Sequence, residues 1–341
     1  MNRNINMEEI QPQKGAEEFQ HILRQEFHNM FIDSKTGLVK DHFLYKKLCP
    51  ICHASEYKKL FVKSGLNHVQ CNKCDFVLIS PYIKPEEKEK YYRDSVAINN
   101  FFMDIVIKTR RERLKSIWPD RTKFVRDYVS DGKVLDVGCG TGEFLEALSD
   151  CGFTDICGIE PNKMAFDYAE KRFHQKIKNN TFENANINNN EFDVISFWEV
   201  FGHFNHPDKI VKKAHSLLSS NGFVFASMAN YCGFEYQVLG KHYDDVYFNV
   251  SNYFSIKTIR MLFENNGFKI LKIMTPGRLD IQHVRRSILQ NPDNIEMCSF
   301  LKEIILDESE SGQIRREDLQ VYLRKHNLSG SMQMVAKKCA N

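Results

Sequence analysis

Residues 134–143, Val-Leu-Asp-Val-Gly-Cys-Gly-Thr-Gly-Glu, place three alternating glycines between a short apolar run and an amphipathic stretch. The apolar run predicts a strand from Val134 to Val137, and the stretch after it predicts a helix from Thr141 to Asp150. Glycines at a strand-to-helix turn allow backbone amides to approach a ligand closely, because no side chain intervenes. The segment therefore predicts an α/β fold that binds a ligand beyond the end of this strand.

Apolar strands and amphipathic helices alternate along the rest of the chain, which predicts a largely parallel sheet covered by helices on both faces. Seven strands are expected at about 134–137, 156–159, 177, 192–197, 223–228, 268–274 and 332–336. Helices are expected at 163–173 after the cap Asn162, at 207–218 with a stop at Asn221-Gly222, and at 255–266 before Gly267. The predicted fold class is α/β, with a Rossmann-like, seven-stranded, mostly parallel sheet.

Four of the ten cysteines form two close pairs, Cys49-Pro-Ile-Cys52 and Cys71-Asn-Lys-Cys74. The 18 residues between the pairs fit the spacing of a zinc site in which two knuckles close a tetrahedron. Four protein ligands leave no open position on the metal, so its expected role is structural. A redox role for each pair is the weaker alternative, since two pairs at this spacing would then be a coincidence. The cysteines predict a small zinc ribbon-like module.

These features divide the chain into predicted segments, and an amphipathic helix at 16–31 belongs to the first of them. The segments are an N-terminal helical segment (1–44), a zinc-binding module (45–82), a charge-rich helical bridge (83–130) and an α/β domain (131–341) with a helical insertion at about 277–330.

Carboxylates surround the glycine turn. Asp136 ends the strand before it, Glu143 follows it, and Glu160 ends the second strand. A nicotinamide dinucleotide needs a third glycine where Glu143 stands, so that cofactor is the least favoured. S-adenosylmethionine carries a sulfonium and an ammonium, which suit these carboxylates, and Glu160 can accept hydrogen bonds from both ribose hydroxyls. The sequence therefore predicts S-adenosylmethionine as the cofactor.

Residues 133–274 resemble class I S-adenosylmethionine-dependent methyltransferases. The resemblance is carried by the motifs Leu135–Gly142, Glu160-Pro161-Asn162 and Phe192–Val200. The chain looks most like a subgroup that joins an N-terminal zinc-binding module to this core and modifies sugars and surface polysaccharides. Further signatures of that subgroup are Phe254-Ser255, Thr275–Asp280 and Ser329–Lys337.

The motifs and the resemblance together define an expected set of cofactor-binding residues. They are Asp136, Gly138, Cys139, Gly140, Gly142, Glu160, Pro161, Trp198 and Glu199. For Trp198, a purely structural role in the core is the alternative. The resemblance implies methyl transfer to a small polar acceptor and favours a hydroxyl of a nucleotide-linked sugar or polysaccharide precursor.

A hydroxyl acceptor benefits from a general base, which typically contributes ~10²–10⁴-fold to the rate. His203 is the first candidate, because it follows the fourth strand and a neutral imidazole can take a hydroxyl proton. The alternative for His203 is packing or a hydrogen bond to the backbone. His206 ranks lower, because it precedes Pro207 and can simply begin a helix.

The loop after the fifth strand offers rival candidates, His242, Tyr243 and Asp244. Members of the subgroup often carry a histidine where Val250 stands, and the family often has Glu-His where Gly202-His203 stands. The resemblance therefore does not transfer a specific base to this chain.

The net charge of +3 is too small to indicate nucleic-acid binding, which argues mildly against the alternative function, a zinc-containing RNA methyltransferase. A binding or scaffold protein that has lost activity is disfavoured by the intact glycine turn. The polar start of the chain and the absence of long apolar runs predict a cytoplasmic protein without a membrane segment.

Overall fold

The structure, a computed structural model, describes residues 12–243, 246–290 and 295–339. Its first element is the helix Gln13–Phe31, which buries Leu23, Phe27 and Phe31 along one face and confirms the amphipathic pattern. Among the helices of the described ranges, none combines the length and the apolar character that crossing a membrane requires.

The cysteine pairs lie on a small antiparallel sheet. Its strands are β2 (Tyr57–Lys63), β3 (Leu66–Cys71) and β4 (Val77–Ile79), and the short strands β1 (Leu44–Tyr45) and β5 (Tyr82–Ile83) pair with each other beside it. Successive antiparallel strands need only tight turns between them, which brings the two halves of the cysteine motif together.

The predicted helical bridge follows this sheet. It consists of Pro85–Asp94, Val96–Asn100, a π-helix at Phe101–Val106, Arg110–Ser116 and Trp118–Arg126. Ser95 caps the second helix by accepting a hydrogen bond from the amide of Ile98. The carboxylate of Glu26 accepts from Ser95 Oγ at 2.5 Å and from the amide of Val96 at 2.8 Å. The N-terminal helix thereby fixes the start of the bridge.

The remaining strands form the predicted seven-stranded sheet, with one exception. They are β6 (Val134–Val137), β7 (Ile156–Ile159), β8 (Ile177–Lys178), β9 (Phe192–Trp198), β10 (Leu218–Ala229), β11 (Asn252–Tyr253), β12 (Phe268–Met274) and β13 (Ser331–Lys338). The order in the large sheet is β12-β13-β10-β9-β6-β7-β8, and β13 is antiparallel to both of its neighbours. This arrangement confirms the predicted fold class.

Helices cover the large sheet. They are Glu143–Asp150, Lys163–Phe173, Pro207–Leu217, Phe234–Leu239 and Ile256–Glu264, followed by the inserted helices Asp280–Gln290, Ser299–Leu306 and Glu310–Lys325. The side chain of Asn162 accepts from the amide of Ala165, which confirms the predicted cap. Gly267 has a φ of 83°, as expected for a glycine that closes a helix.

The predicted helix stop at Asn221-Gly222 is wrong. The helix ends at Leu217, and β10 begins at once with Leu218, which pairs with Phe192 of β9. The pairing then shifts register before Phe223. The strand begins at Leu218, whose side chain is buried, so Asn221 and Gly222 lie within β10.

The exception among the strands is β11, which pairs with β4 and extends the cysteine-bearing sheet. Next to it, the ring of Phe254 lies 5.0 Å from that of Phe76 and 5.8 Å from that of Phe201. The cysteine-bearing sheet and the large sheet therefore share one hydrophobic core. The bounds of the four segments drawn from the sequence stay a prediction.

Candidate functional site

The glycine loop between β6 and the next helix is left-handed at every second residue. Gly138, Gly140 and Gly142 have φ values of 72°, 54° and 81°. A Cβ at Gly138 would lie 2.6 Å from Cγ1 of Val200, and one at Gly142 would overlap the ring of Phe173. Both the backbone conformation and the crowding require glycine here.

Most loop amides are bonded inside the protein. The amides of Gly138 and Cys139 donate to the carbonyl of Ile159 at 2.8 and 3.1 Å, and that of Gly142 donates to Cys139. The amide of Gly140 donates to Oε2 of Glu160 at 2.8 Å. These amides therefore have partners within the protein, and the glycines offer a ligand a surface without side chains.

Glu160, at the end of β7, ties two turns together. Its Oε1 accepts from the amide of Asn162 at 2.8 Å, while Oε2 holds Gly140. Burial raises the pKa of its carboxyl to about 7, and the two amide bonds oppose that shift. A carboxylate has about four acceptor positions, so two remain after these bonds.

Pro161 follows this carboxylate and is held by a residue that the sequence did not single out. The side-chain amide of Asn179 donates to the carbonyls of Glu160 and Pro161 at 2.8 and 3.2 Å. Asn179 begins an asparagine-rich segment at 179–190, and it fixes the turn at the candidate ribose site.

Asp136 is buried at the end of β6, where Oδ1 accepts from Ser196 Oγ at 2.6 Å. Burial raises the pKa of this carboxyl to about 7, while the hydrogen bond from Ser196 and the charge of Arg121 lower it.

Cys139 is buried as well, and its Sγ lies 2.6 Å from the position that a Cβ at Gly158 would occupy. Cys139 therefore packs beneath the loop.

An arginine from the bridge closes the neighbouring side of the site. The guanidinium of Arg121 lies 4.9 Å from the ring centroid of Trp118 and 5.0 Å from that of Trp198. It also pairs with Oε1 of Glu199 at 2.9 Å, and that oxygen accepts from Ser227 Oγ at 2.7 Å. Trp198 Nε1 is buried without a hydrogen-bond partner among the described residues. Sequence reasoning missed Arg121, because only the fold brings it to β9.

The bridge also covers the glycine loop. Asn162 Nδ2 donates to Asn99 Oδ1 at 2.9 Å, and a ring carbon of Phe102 lies 3.4 Å from the Cβ position of Gly140. Burial, together with the charge of Glu160, raises the pKa of the Tyr92 hydroxyl well above its usual range. The side chains around the candidate cofactor site thus come from both the bridge and the α/β domain.

His203 lies on a short 3₁₀ turn next to the glycine loop, and its amide donates to the carbonyl of Val200 at 3.0 Å. Its Nδ1 lies 3.0 Å from the carbonyl oxygen of Asn249. Because a carbonyl only accepts, Nδ1 carries the proton, and in the neutral ring Nε2 is unprotonated. Burial, with the nearby amine of Lys88, lowers the pKa of His203 to about 4.

Lys88 holds the same turn from the bridge. Its Nζ donates to the carbonyl of His203 at 2.6 Å and to Ser251 Oγ at 2.8 Å, and burial lowers its pKa to about 7. The histidine expected in the subgroup corresponds to Val250, whose Cγ1 would be 3.1 Å from a Cβ at Gly202. Val250, which stands where the subgroup has a histidine, therefore lies next to the turn that carries His203.

The other candidate bases lie in different surroundings. His242 is exposed. Tyr243 is buried, and its ring centroid lies 4.8 Å from that of Tyr236. The backbone carbonyl of Tyr243 accepts a hydrogen bond from Lys63 of β2 at 2.8 Å. Tyr45 Oη lies 3.3 Å from Nε2 of His206. Asp244 lies outside the described residues.

The four paired cysteines form a candidate metal centre, because their sulfur atoms all lie within 4.8 Å of one another. The Sγ atoms of Cys49 and Cys74 are 3.6 Å apart, and those of Cys52 and Cys71 are 3.4 Å apart. A tetrahedron with Zn–S bonds of ~2.3 Å has edges of about 3.8 Å, whereas a disulfide needs ~2.05 Å. The arrangement fits a four-thiolate zinc site.

Both knuckles repeat one backbone pattern. The amide of His53 donates to the carbonyl of Cys49, and the amide of Asp75 donates to that of Cys71. His53 and Asp75 are left-handed, with φ values of 57° and 65°. Lys47 lies beside this centre with Nζ 3.8 Å from the ring centroid of Tyr82. Burial lowers the pKa of Lys47 to about 7, and the negative charges of Asp208 and Cys49 oppose that shift.

Comparison with known proteins agrees with this geometry. Residues 109–273 match the family model described as "Methyltransferase domain". This part of the chain is therefore similar to a methyltransferase domain, in agreement with the α/β fold described above. The subgroup that modifies sugars stays a prediction.

Curated relatives are similar over part of the chain. The ubiquinone biosynthesis O-methyltransferase of Coxiella burnetii is 29% identical over 139 residues, which are 38% of this chain and 59% of the relative. The protein of the same name from Thiobacillus denitrificans is 31% identical over 125 residues, covering 34% of this chain and 53% of the relative. The chain thus spans about half the length of the curated relatives it matches.

A solved structure shows the same fold. Phosphoethanolamine N-methyltransferase 2 of Haemonchus contortus, in complex with S-adenosyl-L-methionine, is 15% identical with a TM-score of 0.51. The match covers 77% of this chain and 63% of that chain. At this identity the likeness concerns the fold alone.

Proposed function

We propose that this protein transfers the methyl group of S-adenosylmethionine to a hydroxyl of a small-molecule acceptor. The observation that carries the proposal is the glycine loop clamped by Glu160, within a segment that matches a methyltransferase domain. Class I folds place ligands beyond the carboxyl ends of their strands, and β6, β7 and β9 all end here.

The residues around this edge fit the cofactor. The two remaining acceptor positions of Glu160 suit the ribose hydroxyls, with Pro161 beside them. Asp136 and Glu199 would favour the positive end of the cofactor. Gly138, Gly140 and Gly142 leave the loop bare, while Cys139 and Trp198 pack around it. S-adenosylmethionine supplies an electrophilic methyl group, and the protein's task is to hold the acceptor in line with it.

The acceptor class rests on two supports. The curated relatives are named O-methyltransferases, which favours oxygen as the methylated atom. The resemblance to the zinc-containing subgroup favours a nucleotide-linked sugar. The RNA alternative draws no support from the relatives and structures above. We place zinc on the four cysteines in a structural role, because four thiolates complete its tetrahedron.

His203, His242 and Tyr243 are the proposed base candidates from the sequence. The position of His203 beside the glycine loop supports it, and its unprotonated Nε2 suits a base. Its burial acts against it, because a pKa of about 4 makes the imidazole a weak proton acceptor. Its bonds to Asn249 and Lys88 suit a role in holding the turn.

Labelled S-adenosylmethionine offers a direct test. We expect the purified chain to bind the cofactor and to methylate a member of a panel of nucleotide-linked sugars and phenols, but not total RNA. Glu160→Ala serves as the matched variant with impaired cofactor binding. A wild-type chain that shows no cofactor binding by calorimetry would refute the proposed function.

A further inference from the structure

The turn after β9, residues 202–204, is held at three successive carbonyl groups. Each of these carbonyls accepts a hydrogen bond from a residue far away in the chain. In order along the turn, the donors are the amide of Ser251 at 2.8 Å, Nζ of Lys88 at 2.6 Å and Nδ2 of Asn252 at 2.5 Å. Ser251 and Asn252 belong to the segment that forms β11, and Lys88 belongs to the bridge. Two distant segments therefore set the backbone path of this turn.

The donors at β11 are themselves fixed on the cysteine-bearing sheet. Asn252 is buried, and it pairs with Leu78 of β4. Its Oδ1 accepts a hydrogen bond from Oη of Tyr82 at 3.2 Å, which orients the side-chain amide with Nδ2 toward the turn. The carbonyl of Ser251 accepts from the amide of Ile79, also of β4, at 3.0 Å. The cysteine-bearing sheet thus presents these donors in a fixed position.

Lys88 ties the turn to the same segment. Its Nζ also donates to Oγ of Ser251 at 2.8 Å, and hydrogen bonds from a charged donor are the stronger ones. One helical turn later, Tyr92 lies close enough to Glu160 for that charge to add to burial in raising the pKa of the tyrosine hydroxyl. The helix Pro85–Asp94 therefore extends from the turn to the candidate ribose site.

The turn in turn supports the glycine loop. Cγ1 of Val200 lies 2.6 Å from the Cβ position of Gly138, and the carbonyl of Val200 accepts from the amide of His203 at 3.0 Å. Glu199, just before Val200, has a φ of 60°, a left-handed conformation that is strained for a residue with a side chain. Such strain persists only where the surrounding structure holds it. The bonds at residues 202–204 thus keep Val200 against the glycine loop.

We infer that Asn252 and Lys88 are positioning residues of the methyl-transfer site, an inference that rests on the proposed function. They act through residues 202–204, which hold Val200 against the glycine loop and so keep the loop in the shape that binds S-adenosylmethionine. A protein that adopts its binding shape only part of the time binds its ligand more weakly by that fraction. The cysteine-bearing sheet is therefore a working part of the cofactor site.

Cofactor affinity tests this role on the full chain. Asn252→Leu keeps the shape of the side chain and removes its donor. If the variant adopts the binding shape about one tenth of the time, its affinity for S-adenosylmethionine falls about tenfold in calorimetry. Lys88→Met should have a similar effect. Ser251→Ala, which removes one of the two acceptors of Lys88, should have a smaller effect and replaces Lys88→Met if that variant does not fold.

Two controls separate positioning from stability. Lys90→Met removes an exposed lysine from the same helix and should bind the cofactor as wild type does. Phe153→Leu changes a buried ring just before β7, at the opposite edge of the large sheet, and should lower the Tm without changing cofactor affinity. A purely structural role would give Asn252→Leu the same behaviour as Phe153→Leu, namely a lower Tm with wild-type affinity.

A spectroscopic measurement reports the turn without any ligand. His203 lies in the turn with Nδ1 3.0 Å from the carbonyl oxygen of Asn249, so its ring senses the position of the backbone. In ¹⁵N-histidine-labelled protein, the His203 signals, assigned by their loss in His203→Gln, should move in Asn252→Leu and Lys88→Met but not in Lys90→Met.

The outcomes are distinct. Wild-type affinity in both Asn252→Leu and Lys88→Met, or unchanged His203 signals in both, would overturn the inference. A wild-type chain that does not bind S-adenosylmethionine would refute the proposed function instead, and the His203 signals would still show whether the two residues hold the turn.

Discussion

The cysteine knuckles and the glycine loop are both tight turns with left-handed residues, yet different residue types occupy those positions. His53 and Asp75 carry side chains at φ values of 57° and 65°, whereas the glycine loop has glycine at each of its left-handed positions. Crowding explains the difference at Gly138, because Val200 fills the space where its Cβ would lie. Left-handed backbone favours glycine, and a close neighbour makes glycine mandatory.

The two turns also differ in what holds them. Four thiolates arranged for a cation hold the knuckles, and one carboxylate that accepts from two amides holds the glycine loop. Metal binding is coupled to the folding of small sites, so the knuckles should depend strongly on their ion. The glycine loop, packed against a large sheet, should lose ligand affinity before it loses its fold.

Cys74→Ser should have the largest effect. The apparent binding free energy of structural zinc is about 10–16 kcal/mol in small sites, so losing one thiolate should release the metal and unfold the cysteine-bearing sheet. Elemental analysis should give one zinc per wild-type chain and none in the variant, with a lower Tm. Cys232→Ser, at an exposed cysteine, is the control. A wild-type chain that folds fully without metal would contradict the zinc site.

Gly138→Ala tests crowding against backbone strain. We expect it to lower the free energy of unfolding by about 2–4 kcal/mol, through left-handed strain plus overlap with Val200. Gly152→Ala isolates the strain, since Gly152 has a φ of 99° but no atom within 4 Å of its Cβ position, and it should cost only about 1–2 kcal/mol. Urea unfolding measures both, and equal losses would remove crowding from the explanation.

Glu160→Gln tests the carboxylate clamp. At pH 8 the loss of a charged acceptor should weaken S-adenosylmethionine binding by roughly 1.5–3 kcal/mol. Because the carboxyl pKa is about 7, wild-type affinity should fall as the pH drops through 7. The fall should be smaller in the variant, where Asp136 still titrates but residue 160 does not. Calorimetry between pH 6 and 8 measures this. Identical pH profiles would exclude Glu160 from the ribose site.

The same pKa predicts a stability effect of definite sign. A carboxyl whose folded pKa is raised from 4.5 to about 7 keeps its proton in the folded state after the unfolded chain has lost it. Stability therefore falls as the pH rises from 4.5 to 7 and is constant above that range. Glu160→Gln should reduce this decline.

His53→Gly should have the smallest effect. Removing a side chain from a left-handed position relieves strain, while the added freedom of the unfolded chain opposes it, so the net change should stay within about 1 kcal/mol. Zinc content should match wild type. A destabilisation as large as that of Gly138→Ala, seen in the same urea titration, would show that the knuckles need their side chains.

The fold followed from the sequence wherever a local pattern determined it. β6, β7 and β12 have their predicted bounds, because each is a mostly apolar segment bordered by polar residues or glycine. Local sequence patterns could not predict the contacts between segments that lie far apart in the chain. Arg121 and Asn99 reach the candidate site only because the bridge folds over it, and the two residues of β11 carry too short a pattern to reveal a strand.

For the candidate site, the chemistry of the residues was easier to predict than their environment. Glu160 and the cysteines were identified by type and spacing, which their geometry matches. The burial of His203 depends on Lys88 and Asn249, which lie more than 40 residues away on either side, so no local pattern could indicate it.

The pairing of β11 with β4 has a consequence for synthesis on the ribosome. β4 is made early, but its partner at Asn252–Tyr253 follows about 175 residues later, which takes roughly 10–35 s at typical elongation rates. During that interval the edge of the cysteine-bearing sheet is open to other strands. Early zinc capture would order the nascent module while that edge waits, and the emerging strand would then close it.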